Sequence, residues 1–289
     1  MPEENLLQKV KQLREITGVG FKDCKDVIDQ TNGDIDKSIE LLRKKGIVKA
    51  SKRMERVASE GLVCIYEKDN KFSIIEINSE TDFVAKNEQF INFAEEISRI
   101  ALFKLGKIED VLNSEMENKK TVKDSLVDLI SKIGEKITLR RCAFIDNKNL
   151  INFSYTHSSI KKNIGKLGVL VSVETSKQKE DLLDFGKQLA MHVASSSPLT
   201  IDKKDLDESI VSKEKEIITE ELKNSGKDPK IVEKIALGKI NKFIADNTLL
   251  NQEWIIDPKK KVKNIIEDAA GKDKIEVKQF IRFKVGEGV

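Results

Sequence analysis

The chain reads as an α+β protein in which one strand-and-helix grammar is used twice, behind a small helical bundle and around an inserted helical pair. Three observations predict this. Short β-branched runs recur in a fixed order with long segments of helical period between them. Residues 1–46 carry helical periodicity alone. Residues 203–246 carry two apolar stripes on either side of the turn signal Asn224-Ser225-Gly226-Lys227-Asp228-Pro229.

Within residues 1–46, Leu6, Leu7, Val10, Leu13 and Ile16 recur at spacings of three and four, and Gly18-Val19-Gly20 breaks that helix. Phe21, Cys24, Val27 and Ile28 stripe a second helix, and Asn32-Gly33-Asp34 turns the chain again. Asp34 suits the N-cap of a third helix with Ile35, Ile39 and Leu42 inward, and Gly46 after a basic end reads as its stop. Residues 47–59 are rich in Lys, Arg and Ala with weak apolar periodicity, which predicts a helical or extended linker with a solvated basic face.

In the body, residues 60–146 hold one set of elements. Gly61-Leu62-Val63-Cys64-Ile65-Tyr66 and Phe72-Ser73-Ile74-Ile75-Glu76-Ile77 flank a turn at Lys68-Asp69-Asn70; a helix over about 88–104 and a strand from Ile137 to Ile145 follow. Residues 147–202 and 247–289 repeat the order: strands at Leu150 to Tyr155 and Leu167 to Val173, a helix striped by Leu182, Leu183, Phe185, Leu189, Ala190 and Val193, and a strand from Val277 to Val285. A two-stranded hairpin is marginal alone, so each set predicts a three-stranded antiparallel sheet with a covering helix.

The interruptions differ. Residues 106–136 contribute a short helix around Val122 to Ile133, whereas residues 203–246 predict an antiparallel helical hairpin. Leu206, Ile210, Ile217, Ile218 and Leu222 are expected to face Ile231, Ile235, Ile240, Phe243 and Ile244. A projecting pair of this kind can pack against a second copy or against its own body; the first reading, a homodimer through residues 203–246, is preferred.

Composition narrows the function classes. Lys+Arg of 52 against Asp+Glu of 49 leaves +3, so the basic charge is largely offset and calls for no nucleic acid. Neither Lys49 to Arg56 nor Lys259 to Lys263 interleaves the aromatics that a base-stacking platform needs, and both read as solvated linkers. Cys24, Cys64 and Cys142 are odd in number and widely separated, which predicts neither a disulfide framework nor a metal site. With His157 and His192 the sole histidines, no metal is expected. No G-x-x-x-x-G-K-[ST] or G-x-G-x-x-G element occurs, so neither cofactor nor direct nucleotide binding is expected. Ser195-Ser196-Ser197 near His192 suits a helix end better than a catalytic triad, and no enzyme is expected. No apolar run approaches the ~18 residues that span a bilayer, and the polar start lacks a signal core; the chain reads as cytoplasmic, with no membrane partner.

Residues 78–87, Asn-Ser-Glu-Thr-Asp-Phe-Val-Ala-Lys-Asn, place an aromatic among polar residues where a strand hands over to a helix. Local pattern favours Thr81 or Asp82 as the cap of that helix, with Phe83 packed beneath it as a staple. The alternative is a Phe83 held outward as a wedge.

The rest of the chain favours the wedge. Leu13-Arg14-Glu15-Ile16-Thr17-Gly18-Val19-Gly20, Asp23-Cys24-Lys25, Asn32-Gly33-Asp34-Ile35, Thr81-Asp82-Phe83-Val84-Ala85, Ala190-Met191-His192-Val193-Ala194 and Phe280-Ile281-Arg282-Phe283 together resemble the elongation factor Ts family, in that family's order and over nearly the whole chain. The resemblance implies a guanine-nucleotide exchange factor for elongation factor Tu, with no covalent chemistry. It implies an N-terminal bundle similar to ubiquitin-associated domains, a two-part core, and a hairpin that mediates dimerisation in some members. It further implies that Thr81, Asp82, Phe83 and Val84 displace the partner's magnesium, and that Arg14, Phe21 and His192 make additional contacts. Lys22 stands where the family commonly has an apolar residue. The helical module that often follows Gly286-Glu287-Gly288 in the family is not expected, since the sequence stops at Val289. The competing expectation is a ubiquitin-associated-like interaction adaptor without exchange activity.

Overall fold

Helical stripes of the N-terminal segment become α1 (Glu3–Thr17), α2 (Phe21–Gln30) and α3 (Ile35–Arg53), closing over Val10, Leu13, Cys24, Val27, Ile28 and Leu42. The computed structural model describes residues 3–17, 21–53, 56–146, 149–223 and 229–289. The break expected at Gly18-Val19-Gly20 lies outside them. Asp34 caps α3 as expected, its Oδ1 accepting from the Lys37 N–H at 3.0 Å.

The first sheet starts from β1 (Glu60–Lys68) and β2 (Lys71–Ser79), an antiparallel hairpin. Its turn residues Asp69 and Asn70 both have left-handed backbones, φ +52° and +58°, the twist-matched geometry of a two-residue hairpin turn. Then come α4 (Asp82–Ala85), α5 (Glu88–Phe103), α6 (Ile108–Leu112), α7 (Val122–Ile133) and β3 (Ile137–Ile145), which pairs antiparallel with β2. Strand alternation sends Leu62, Cys64, Ile75 and Ile77 into the core with α5, and Val63, Ile65, Phe72 and Ile74 into a second core on the opposite face.

The second sheet repeats the order. It comprises β4 (Ile151–His157), β6 (Leu167–Thr175) and β7 (Ile275–Lys284), in that order; the short β5 (Ile164–Gly165), which follows β4 in the chain, is not one of its strands. Helices α8 (Leu183–Ser196), α9 (Glu208–Lys223), α10 (Pro229–Asn247) and α11 (Val262–Ala270) lie between β6 and β7. One face of this sheet packs on α8 and α11 through Val169, Val171, Val173, Leu189 and Val262. Leu170 and Phe283 on the other face meet the first sheet. The layers therefore run helix, sheet, sheet, helix. Gly168 permits the central approach, since a Cβ there would lie 2.6 Å from Val63 Cγ1.

Correspondence between the sheets extends to their irregularities. β3 slips on β2 between Glu76 and Ile77, and β7 slips on β6 between Ser172 and Val173. The residues left unpaired, Arg140 and Lys278, each stand fourth in their strand.

Four expectations require correction. The first sheet has four strands, ordered β3-β2-β1-β5, because Ile164–Gly165 from the loop after β4 pairs antiparallel with β1. Helix α3 does not stop at Gly46 but runs to Arg53, so the first part of the linker segment takes the helical of its two expected forms. Gly46 instead lets α3 lie close to α7: a Cβ there would sit 2.7 Å from Ser131 Oγ. Part of the basic run at Lys259 to Lys263 opens α11, whose Val262 and Ile266 enter the second core. In the hairpin, Ile218 and Leu222 are buried, whereas Ile210, Ile217 and Ile231 are exposed. Ile217 is one residue, about 100° of helix, away from Ile218, so the two cannot share one inward stripe. The hairpin's turn at 224–228 lies outside the described residues.

A buried carboxylate ties the C-terminal end of β7 to the first sheet. Glu76, fully shielded at the β2 slip, accepts from Arg140 Nη1 at 3.0 Å, Arg141 Nε at 2.5 Å, Asn78 Nδ2 at 3.1 Å and the Gly286 N–H at 2.9 Å. Arg140 also donates to the Glu287 carbonyl at 2.6 Å, and Arg141 stacks 4.2 Å from the Phe283 ring centroid. Burial pushes the Glu76 carboxyl up, but the Gly286 N–H, Asn78 and Arg141 outweigh it, so the group lies below the usual carboxylate range. Among the described residues no helix is long and apolar enough to cross a membrane, and no group of three or more His, Cys, Asp and Glu could hold a metal ion.

Candidate functional site

Between β2 and α5 the chain makes a single helical turn, α4, that is half core and half surface. Val84 and Ala85 sink into the core beside α5, while Phe83 is 79% exposed. Lys86 and Asn87 close the turn by donating to the carbonyls of Phe83 and Val84 at 3.1 and 2.9 Å. Asn87 then caps α5, its Oδ1 accepting from the Gln89 N–H at 2.9 Å and the Phe90 N–H at 3.3 Å.

The cap-and-staple pattern therefore fails. Thr81 occupies the N-cap of α4 without a side-chain capping bond, and Phe83 packs beneath nothing. Thr81 is engaged elsewhere: its N–H and hydroxyl donate to the two Glu135 carboxylate oxygens at 3.0 and 2.8 Å. Its neighbour Glu80 accepts from the Lys136 N–H at 2.6 Å and from Arg56 Nη1 at 3.3 Å. Lys136 Nζ reaches back to the Arg56 carbonyl at 2.7 Å. Asp82 is half-exposed and paired with Lys86 at 2.8 Å; that contact holds its carboxyl below the ordinary range.

Other expected site residues lie apart from this turn. Arg14 and Phe21 are exposed on the N-terminal bundle. His192, inside α8, is fully buried and stacks on Trp254 with ring centroids 5.0 Å apart. Its Nδ1 accepts from the Ile255 N–H at 3.4 Å, so Nε2 carries the proton and donates to Gln252 Oε1 at 2.9 Å. Burial pushes the imidazole's pKa down, against the opposing effect of Gln252, and favours the neutral ring. The Gln252 amide Nε2 donates onward to the Asp246 and Ser196 carbonyls at 2.6 and 3.2 Å. His192 thus fixes the segment from Gln252 to Ile255 and presents no surface of its own.

Sequence reasoning found Phe83 but not the residues that hold its turn. Glu135 is 54 positions from Thr81, and no spacing rule links a Glu after one helix to a Thr before another. The nearest signal was Gly134, whose left-handed backbone (φ +91°) ends α7 and sets the chain direction at Glu135.

The body is an α+β fold of two antiparallel sheets with an inserted helical pair, and it carries an exposed aromatic on a tightly bonded turn. The chain belongs to the elongation factor Ts family, and is thus a translation elongation factor: the model of that family, described as Elongation factor TS, matches residues 80–287. It is 41% identical over 284 residues to the Elongation factor Ts of Bartonella tribocorum (strain CIP 105476 / IBS 506), covering 97% of this chain and 92% of that protein. It is likewise similar to the Elongation factor Ts of Nitrobacter hamburgensis (strain DSM 10229 / NCIMB 13809 / X14), 41% over 282 residues, and of Methylorubrum extorquens (strain PA1), 40% over 283 residues, with the same coverage.

Proposed function

We propose that this chain binds GDP-loaded elongation factor Tu and promotes GDP release, by displacing the magnesium ion and distorting the nucleotide site so that GTP can load. The observation that carries this is Phe83, 79% exposed on a turn held by Thr81 on one side and by Val84 and Ala85 on the other. Asp82 accompanies the ring at the contact; Thr81 and Val84 hold it from behind. Arg14 and Phe21 supply a second contact from the bundle, and His192 acts through the segment it supports. Ile217, Ile231 and Leu237, exposed on the hairpin, suit a homodimer contact.

Exchange here is differential binding with no covalent step. Nucleotide and factor each weaken the other's affinity for the partner by the same factor, as linkage requires. Burying a Phe side chain is worth about 1.5–3 kcal/mol, so the ring alone could supply about 10- to 150-fold if it is buried only in the nucleotide-free arrangement. Any larger effect draws on contacts from the second sheet and the N-terminal bundle.

Stopped-flow release of fluorescent GDP from elongation factor Tu tests this, with wild-type chain and Phe83→Ala compared at saturation. Acceleration by the wild type and its loss in the variant are expected. Binding without acceleration by the wild type would leave the adaptor reading in its place.

A further inference from the structure

We infer that Glu135 is a positioning residue for exchange, half of a reciprocal clasp between the turn before α4 and the turn before β3. The inference rests on the Phe83 role proposed above. Each turn gives the other a carboxylate and receives a backbone N–H: Glu135 takes Thr81 N–H at 3.0 Å, and Glu80 takes Lys136 N–H at 2.6 Å. The Thr81 hydroxyl adds a third bond to Glu135 at 2.8 Å. All three are charge-assisted, the stronger class of hydrogen bond.

The clasp answers a specific mechanical problem. Phe83 lies on a helix of four residues, too short to be rigid by its own hydrogen bonds. Val84 and Ala85 anchor the C-terminal side of the turn in the core. Ser79 Oγ donates to the Thr81 carbonyl at 2.9 Å, but it stands two residues upstream on the same segment; without an anchor from outside that segment, the ring could swing about the Val84 side. Glu135 supplies the second anchor from a rigid place, directly after the left-handed Gly134 that terminates α7. An aromatic fixed at both ends loses little freedom when it enters a partner, so its burial counts in full toward the strained complex.

The test compares Glu135→Ala, Phe83→Ala and the double variant, each in the full chain. Two readouts are taken: GDP release from elongation factor Tu as a function of factor concentration, and amide hydrogen exchange over residues 81–84 of the free factor. Glu135→Ala is expected to speed exchange at those amides, leave the melting temperature within a few degrees, and slow saturating release by about tenfold. The half-saturating concentration should change by less than about threefold, because the other contacts are untouched. In the Phe83→Ala background, Glu135→Ala should have no further effect on release, whereas an unrelated structural defect would add to it.

Unchanged amide exchange in Glu135→Ala, or slowing that adds to that of Phe83→Ala, overturns the clasp while leaving Phe83 as the wedge. If Phe83→Ala itself releases GDP at the wild-type rate, the wedge falls instead, and faster amide exchange in Glu135→Ala would show a clasp without that purpose. Thr81→Val, which removes just the hydroxyl bond, should give a smaller effect of the same kind; wild-type behaviour in both readouts counts against the clasp.

Discussion

Four residues beyond the last residue of β2 stands Phe83; four beyond the last residue of β6 stands Lys179. The two positions correspond in a body whose sheets share strand order and even the place of their slips. Phe83 points into solvent from a one-turn helix. Lys179 turns inward across the sheet junction, pairing with Glu67 at 3.2 Å and lying 5.5 Å from the Phe72 ring centroid. One structural slot thus serves an outward contact in the first sheet unit and internal closure in the second. A second slot diverges in the same manner. Glu76, before the first slip, is a buried charge that collects Arg140, Arg141 and Gly286. Ser172, before the second, is a buried hydroxyl bonded to Asn152 at 2.6 Å. Repetition supplies the frame, and single substitutions at matched places supply the differences in role.

The largest expected effect breaks the second of these contrasts. Glu76→Ala leaves two arginines and an N–H without their shared acceptor, and should destabilise the chain by about 3 kcal/mol in urea unfolding. Ser172→Ala, at the matched place, should cost about 1 kcal/mol. Equal losses would dissolve the distinction. The sign of the acid dependence follows from the depressed Glu76 carboxyl. Its ionised form stabilises the fold above the ordinary glutamate value of about 4.3, and that stabilisation is lost as pH falls through the lower folded value. Glu76→Gln should therefore lose less stability than the wild type on acidification below about pH 4.

Next in size is the exchange of identities at the first slot. Phe83→Lys, importing the residue of the second unit, should slow saturating GDP release by about 10- to 150-fold while leaving the melting temperature nearly unchanged, since the ring is largely exposed in its own chain. The smallest effect belongs to the counterpart. Lys179→Ala removes a partly exposed ion pair and a cation–π contact, together worth about 1 kcal/mol of stability, and should leave release within about twofold. A strong effect of Lys179→Ala on release would mean that the second slot also reaches the partner.

Much of this architecture is legible in sequence because it depends on period. Near-continuous apolar runs from Leu62 to Ile65 and Ile74 to Ile77 specify strands buried on both faces, and the helical stripe from Phe90 to Ala101 specifies both element and buried face. What escapes is set by contacts distant along the chain. Gly46 looks like a helix stop until α7 lies against it. The three lysines ahead of Val262 mask a helix whose inward face is only Val262, Ile266 and Ala270. At the candidate site the exposed aromatic could be singled out from its polar neighbours, but its orientation could not. Thr81 has the right chemistry to cap a helix, and only the arrival of Glu135 diverts it.

Ile164 and Gly165 make a strand of just two residues, yet they lie on the flank of β1 in a sheet whose other strands come from a different stretch of chain. A truncation at residue 146 would strip that cover and bare a run of unpaired amides and carbonyls beside Val63 and Cys64, an invitation to intermolecular sheet growth. The two sheet units are in this way stitched together, and the first, cut free, is expected to aggregate along that edge.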